Sequence, residues 1–206
     1  MGRVFGYTVD VETTHSDIEK ARIIKLAAIN ATDPTDWINL QARVAPGTFI
    51  SASALAYNGF TPEELTNPNL PTEAEIIEQY IAWRWRLTNK TASGHNLGNY
   101  DIPILESAAA RAGTNIRLGR RSVDLHSLAA QVYERNGWEI PLDEKGFSNL
   151  TSDRVAALVN IPPEPKPHRE AIHGVIWERE ALERIIHRRP YFREFAQYSI
   201  PKHLFV

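Results

Sequence analysis

The sequence predicts an α/β domain, a mixed β-sheet with helices on its faces. Three observations lead there. Short apolar, β-branched runs crowd residues 4–44, amphipathic and capped helical segments begin at residue 51, and the later strand-like stretches each lead into a helix. At 206 residues the chain can bury one sizeable core, and no internal repeat or second domain is visible.

The first strand is expected near residues 4–11, where Val4-Phe5-Gly6-Tyr7-Thr8-Val9 forms an apolar run that ends in a polar turn at Thr14-His15-Ser16-Asp17. Residues 22–29 read as a second strand from their β-branched content, and Asp33-Pro34-Thr35-Asp36 as a turn. Residues 37–44 alternate apolar and polar, as a half-exposed strand does. Three strands in quick succession suggest an antiparallel meander. Ser51 opens a short helix. Thr61-Pro62-Glu63-Glu64 opens another, with Thr as N-cap and Pro at the first position. Residues 72–87 carry helical spacing through Ile76, Ile77, Tyr80, Ile81 and Trp85, and Trp83 and Trp85 read as packing residues.

Residues 91–96 read as a short strand and its loop, and Asp101–Ala112 as a helix stopped at Gly113. Val123 starts a strand-to-helix passage in which Asp124 is best read as a helix cap. Residues 135–150 form a loop-rich insertion, residues 151–159 a short helix, and Pro162–Pro167 a stiff linker. A last long helix is expected from near His168 to about His187, followed by a proline-punctuated aromatic tail. The expected organisation is one domain over 1–189 and a tail, 190–206, packed on that domain or on a partner.

Composition narrows the chemistry. The chain has no cysteine, which excludes disulfides, thiolate metal sites and cysteine nucleophiles. Residues 1–3 hold no apolar signal segment, and no run has membrane-spanning length, so the expected location is cytoplasmic, without membrane association. A formal net charge of −2 argues against tight wrapping of a duplex but leaves room for gripping a strand end. The basic groups Arg117, Arg120 and Arg121, and Arg184, His187, Arg188 and Arg189, read as solvated faces.

Asp10-Val11-Glu12-Thr13-Thr14 is the most informative stretch. Carboxylates two residues apart on a strand share one face. Two like charges there are costly to desolvate, and a divalent cation between them is the usual compensation; taken alone, the stretch reads equally as a strand end running into a polar turn. Three further segments fall into line with this one: Gly94-His95-Asn96 running to Asp101-Ile102-Pro103, then Val123-Asp124-Leu125, then Pro167-His168-Arg169-Glu170-Ala171-Ile172-His173-Gly174. In order and spacing they resemble the DnaQ-like 3′–5′ exonucleases, the DEDDh class of the RNase H-like superfamily, over about residues 3–187. Residues 23–29 and 56–65 are similar to the family's second strand and to the helix–turn segment after its third.

The resemblance implies an RNase H-like sheet, antiparallel in its first three strands and then parallel. It implies two Mg²⁺ or Mn²⁺ ions, with Asp10 bridging both, Glu12 holding one, and Asp101 completing the shell. Thr13 would lie near the terminal nucleotide. The His95-Asn96 loop either lies beside the substrate strand, as in the family, or is a turn satisfied by asparagine hydrogen bonds. His168 matches the histidine that names the class and would be the general base; imidazole suits this because its pKa lies near neutrality. The implied activity is metal-dependent hydrolysis of single-stranded DNA or RNA from the 3′ end to nucleoside monophosphates, in a repair or proofreading role.

The chain departs from this pattern at the last acid. The family places an Asp five residues after the histidine, where His173 stands, and the neighbouring register offers Gly174. Three readings follow. His173 ligates the metal itself. Glu170 substitutes from one helical turn earlier. Or the site is weakened, leaving a domain that binds nucleic-acid ends or a polymerase-type partner.

Overall fold

The structure, a computed structural model, describes residues 4–118 and 121–206. Five strands form one mixed sheet: β1 (Tyr7–Thr13), β2 (Ile23–Asn30), β3 (Trp37–Gln41), β4 (Ala92–Gly94) and β5 (Val123–Asp124), in the order β3-β2-β1-β4-β5. β1 pairs antiparallel with β2, and β2 with β3; β4 runs parallel to β1, and β5 parallel to β4. The antiparallel half followed by a parallel half is the arrangement expected from the sequence. β1 starts three residues later than expected and runs on through Glu12, and a register shift against β2 falls between Glu12 and Thr13.

Seven α-helices lie between and after the strands among the described residues: α1 (Ala52–Asn58), α2 (Pro62–Leu65), α3 (Glu73–Arg86), α4 (Asp101–Arg111), α5 (Leu125–Arg135), α6 (Ser152–Leu158) and α7 (Ala171–His187). Their starts are local chemistry. Thr61 and Glu64 form a capping box on α2, Thr72 and Glu75 form one on α3, and Thr151 caps α6. Asp124 Oδ1 accepts from the Ser127 N–H at 3.0 Å, so the residue is the cap that its position suggested.

The pleat of β1 separates two environments. Tyr7, Val9 and Val11 face a core built with Ile76, Ile77 and Tyr80 of α3 and Leu105 and Ala108 of α4. On the other face, α7 lays Ala171 and Val175 against Ala27 and Ile29 of β2. A further core joins α5, α6 and α7 to Phe195 and Leu204 of the tail. Arg184 anchors that tail. It pairs with Glu180 at 2.6 Å and donates to the Phe195 carbonyl at 2.7 Å and the Tyr198 carbonyl at 3.1 Å.

Several expectations need correction. Arg184 is wholly buried, so it is no part of a solvated basic face. Arg117 and Arg121 are exposed, and Arg120 lies outside the described residues. Trp83 packs in the core, whereas Trp85 is 64% exposed with Lys90 Nζ 5.3 Å from its ring centre. Neighbours two apart on a helix point to different sides, so the two tryptophans cannot both face the core. α7 begins at Ala171, because His168–Glu170 remain outside the helix as part of the approach to it. No helix among the described residues is long and apolar enough to cross a membrane.

Candidate active site

Asp10 and Glu12 project from the β1 face that α7 covers, into a cleft of about 410 Å³ at the end of the strand. Asp101 reaches the same cleft from the first turn of α4, where its Oδ1 accepts from the Val11 N–H at 3.2 Å. That bond crosses from helix to strand and fixes the carboxylate between the two acids of β1.

His168 lines the same cleft. Its backbone N–H donates to the Tyr57 carbonyl at 3.1 Å, and its ring stacks on Tyr57 with centroids 4.3 Å apart and planes 11° from parallel. The neighbouring Arg169 clamps the same segment, donating to the Gly59 carbonyl at 2.6 Å and to Glu64 at 2.7 Å. Gly59 has φ +67°, and a Cβ there would come within 2.6 Å of Pro167 Cγ, so glycine is needed for the turn and for the close approach.

Thr13, His95 and Asn96 line this cleft as well. Thr13 Oγ1 lies 2.7 Å from the Tyr100 hydroxyl and donates to the His15 carbonyl at 2.9 Å. His95 Nε2 is 2.8 Å from the Leu150 carbonyl oxygen, which ties the 135–150 segment to the cleft wall. Asn96 has φ +55° and its Oδ1 accepts from Asn99 at 3.1 Å, as in the turn reading of this loop.

His173 and Glu170, the two residues offered as replacements for the missing acid, are not brought into the cleft. Glu170 turns to Lys25, with Nζ at 2.8 Å, and to the Asn39 amide at 3.1 Å. His173 packs edge-on to Trp177, with ring centres 6.4 Å apart. The reason is helical phase: Gly174, not His173, is the α7 residue that faces Asp10, and a Cβ at 174 would overlap Asp10 Oδ2.

Three residues that the sequence reading passed over line the cleft instead. Glu164 lies in the proline-rich approach, with Oε1 3.1 Å from His168 Nδ1. Glu178 stands four residues after Gly174 on α7. Asn58, buried at the end of α1, donates to the Thr13 carbonyl at 3.1 Å, while its Oδ1 has no hydrogen-bond partner among the described residues. The available signal for both acids was spacing, since each sits four residues from a residue already under consideration.

Five carboxyl groups thus share one cleft, and their proton affinities show it. Burial, then the Glu164 charge, pushes Asp10 up to about 7. Burial followed by Asp10, Glu164 and Asp101 pushes Glu12 up to about 10. Asp101 and Glu178 are raised well above the ordinary carboxylate range, first by burial and next by the Asp10 charge. Glu164 rises to about 7 through burial and the nearby Asp153. His168 moves down, through burial and then Lys166, which keeps its ring neutral near neutral pH.

Such a set is self-repelling without a cation, and its all-oxygen donors suit a hard divalent ion. The buried Glu178 Oε2 has no hydrogen-bond partner among the described residues, as a ligand oxygen awaiting a cation would. The groups stand around one cleft rather than one point: among the described residues, no three His, Asp or Glu side chains close a ligand set by themselves.

The fold has clear counterparts among solved structures. Escherichia coli exonuclease I in complex with a dT13 oligonucleotide superposes with a TM-score of 0.67 at 16% identity, over 86% of this chain and 40% of that one. Exonuclease I from Methylocaldum szegediense gives 0.66 at 19% identity, over 88% of this chain and 40% of that one. The zinc-bound form of the E. coli exonuclease I–single-stranded DNA complex gives 0.68 at 18% identity, over 89% and 41%. The chain therefore spans about two fifths of the length of these enzymes. At such identities the likeness establishes the fold. The sequence matches no protein-family model and no curated protein.

Proposed function

We propose that this protein is a metal-dependent 3′–5′ exonuclease that removes nucleoside monophosphates from single-stranded DNA or RNA ends. The observation that carries the reading is the cleft itself. Asp10, Glu12, Asp101 and His168 line one cleft, which supports the reading. The fold likeness to exonucleases solved with single-stranded oligonucleotides adds support.

Asp10, Glu12 and Asp101 would hold Mg²⁺ or Mn²⁺. Such ions, when bound, neutralise the charge that builds on the phosphoryl and leaving oxygens and lower the pKa of an attacking water. The rest falls to the chain's own residues. His168, neutral near neutral pH and held by Tyr57, accepts the proton of the water that attacks the terminal phosphorus. A new P–O bond forms to that water oxygen as the P–O3′ bond breaks. The shortened strand keeps the 3′ oxygen, which takes up a proton. Glu164 beside Nδ1 fixes the imidazole orientation and leaves Nε2 as the accepting nitrogen. Thr13 and the His95-Asn96 loop line the approach and would contact the terminal nucleotide.

A 5′-labelled single strand of DNA and one of RNA, incubated with Mg²⁺ or Mn²⁺, test the reading. Stepwise shortening from the 3′ end is expected, and Asp10→Ala should abolish it. No shortening of either strand with either metal at high protein concentration would refute it. Gly174 in place of an acid motivates a second reading, a weakened domain that holds ends without turnover. Strand binding without cleavage in the same experiment would favour it.

A further inference from the structure

We propose that Glu178 takes the place of the missing fourth acid, reaching the metal site from one helical turn further along α7. The inference rests on the nuclease reading above and adds to it a ligand that the motif does not contain.

Gly174 and Glu178 form a complementary pair. They lie four residues apart on α7 and so stack on the same side of the helix. Long helical side chains lean back over the preceding turn, which brings Glu178 into the cleft that Gly174 also lines. Asp10 takes up the space over Gly174: a Cβ at 174 would overlap Asp10 Oδ2 and stand 3.7 Å from Glu164 Oε1. A carboxylate borne on residue 174 would have to displace Asp10. One borne on residue 178 lines the cleft beside it.

The surroundings of Glu178 point the same way. The residue is 9% exposed, yet its Oε2 has no hydrogen-bond partner among the described residues. That oxygen lies 3.4 Å from where a Cβ of Gly94 would stand, at the end of β4, so it is wedged between α7 and the sheet at the head of the cleft. A buried orphan oxygen costs free energy unless something binds it. The charges that act on it among the described residues are those of Asp10, Asp101 and Glu164, so a bound cation would answer it. Glu164, the other acid of the cleft, already meets His168 Nδ1 and serves as a positioning residue for the base.

Mn²⁺ binding to the full chain, followed by calorimetry and by the spin-resonance signal of free Mn²⁺, tests the assignment. Glu178→Gln keeps the shape and removes the charge. It should weaken Mn²⁺ binding by about tenfold or more, while His173→Ala binds as the parent does. In chelator, Glu178→Gln should melt no lower than the parent, and added Mn²⁺ should raise its melting temperature less. Glu178→Asp, which keeps the charge but withdraws the carboxylate, should lose affinity as well and covers the case in which the Gln variant misfolds. Parental Mn²⁺ affinity in the Glu178 variants, with binding lost in Asp10→Asn, would overturn the assignment and leave the nuclease reading standing. Loss in His173→Ala with retention in Glu178→Gln would overturn it in favour of histidine ligation. A parent chain that binds no Mn²⁺ would overturn both.

Discussion

Replacing Asp10 by Asn should stabilise the metal-free protein, and the gain should depend on pH in a defined direction. Asp10 titrates at about 7 in the folded chain against an ordinary 3.8, through burial first and the Glu164 charge second. Between those two values the folded state holds more protons than the unfolded state, so its stability falls as pH rises from about 4 to about 7 and then levels off. A shift of about three units has a ceiling of about 4 kcal/mol at ~1.4 kcal/mol per unit. Asp10 is only partly enclosed and its neighbours relax when its charge goes, so about half of that ceiling is expected. In a chain of this length ~2 kcal/mol corresponds to roughly 4–8 °C. Melting of both proteins by circular dichroism in excess chelator, at pH 8 and pH 5, measures it. Asp10→Asn should melt higher at pH 8, with most of the difference gone at pH 5, where the folded parent has already taken up its proton. With Mn²⁺ the order should reverse, because only the parent gains from binding. Equal melting at pH 8, or a gap as wide at pH 5, would refute the account of a self-repelling acid cluster.

Three further outcomes follow from the geometry. Gly174→Ala should gain helix propensity of about 1 kcal/mol yet displace Asp10, so reduced Mn²⁺ affinity in calorimetry with little change in melting is expected. Tyr57→Ala removes the ring stacked on His168. A stack worth ~0.5–1.5 kcal/mol implies a loss of roughly twofold to tenfold in the cleavage rate, measured beside His168→Ala, where the loss should reach ~10²-fold or more. Arg184→Ala strips the buried Glu180 of its cationic partner and four carbonyls of a donor, and breaking such a pair costs about 3–5 kcal/mol. Chemical denaturation should show that loss, with tail residues 191–206 opening to protease first.

Much of the candidate site was legible because it is written locally. Asp10 and Glu12 are tied to one face by the two-residue period of a strand. Asp101 is marked by its place at the first turn of a helix and His168 by its place after a proline run. The fourth corner was not legible. Glu164 sat in what read as a spacer, and Glu178 was one more charged residue in a helix whose buried acids and arginines lie side by side in sequence. Motif register points to His173 and Glu170, which helical phase and the Lys25 contact turn away from the cleft.

The sequence by itself determined the strands, the caps, the mixed α/β class and the acids of β1, since propensity, pleat and capping act over a few residues. Only the tertiary structure decided which face of α7 meets Asp10. That contact is set by how a helix docks on a sheet, a sum of many apolar contacts among Ala27, Ile29, Ala171 and Val175. It places a glycine, rather than an acid, against Asp10, and sets Glu178 in the same cleft.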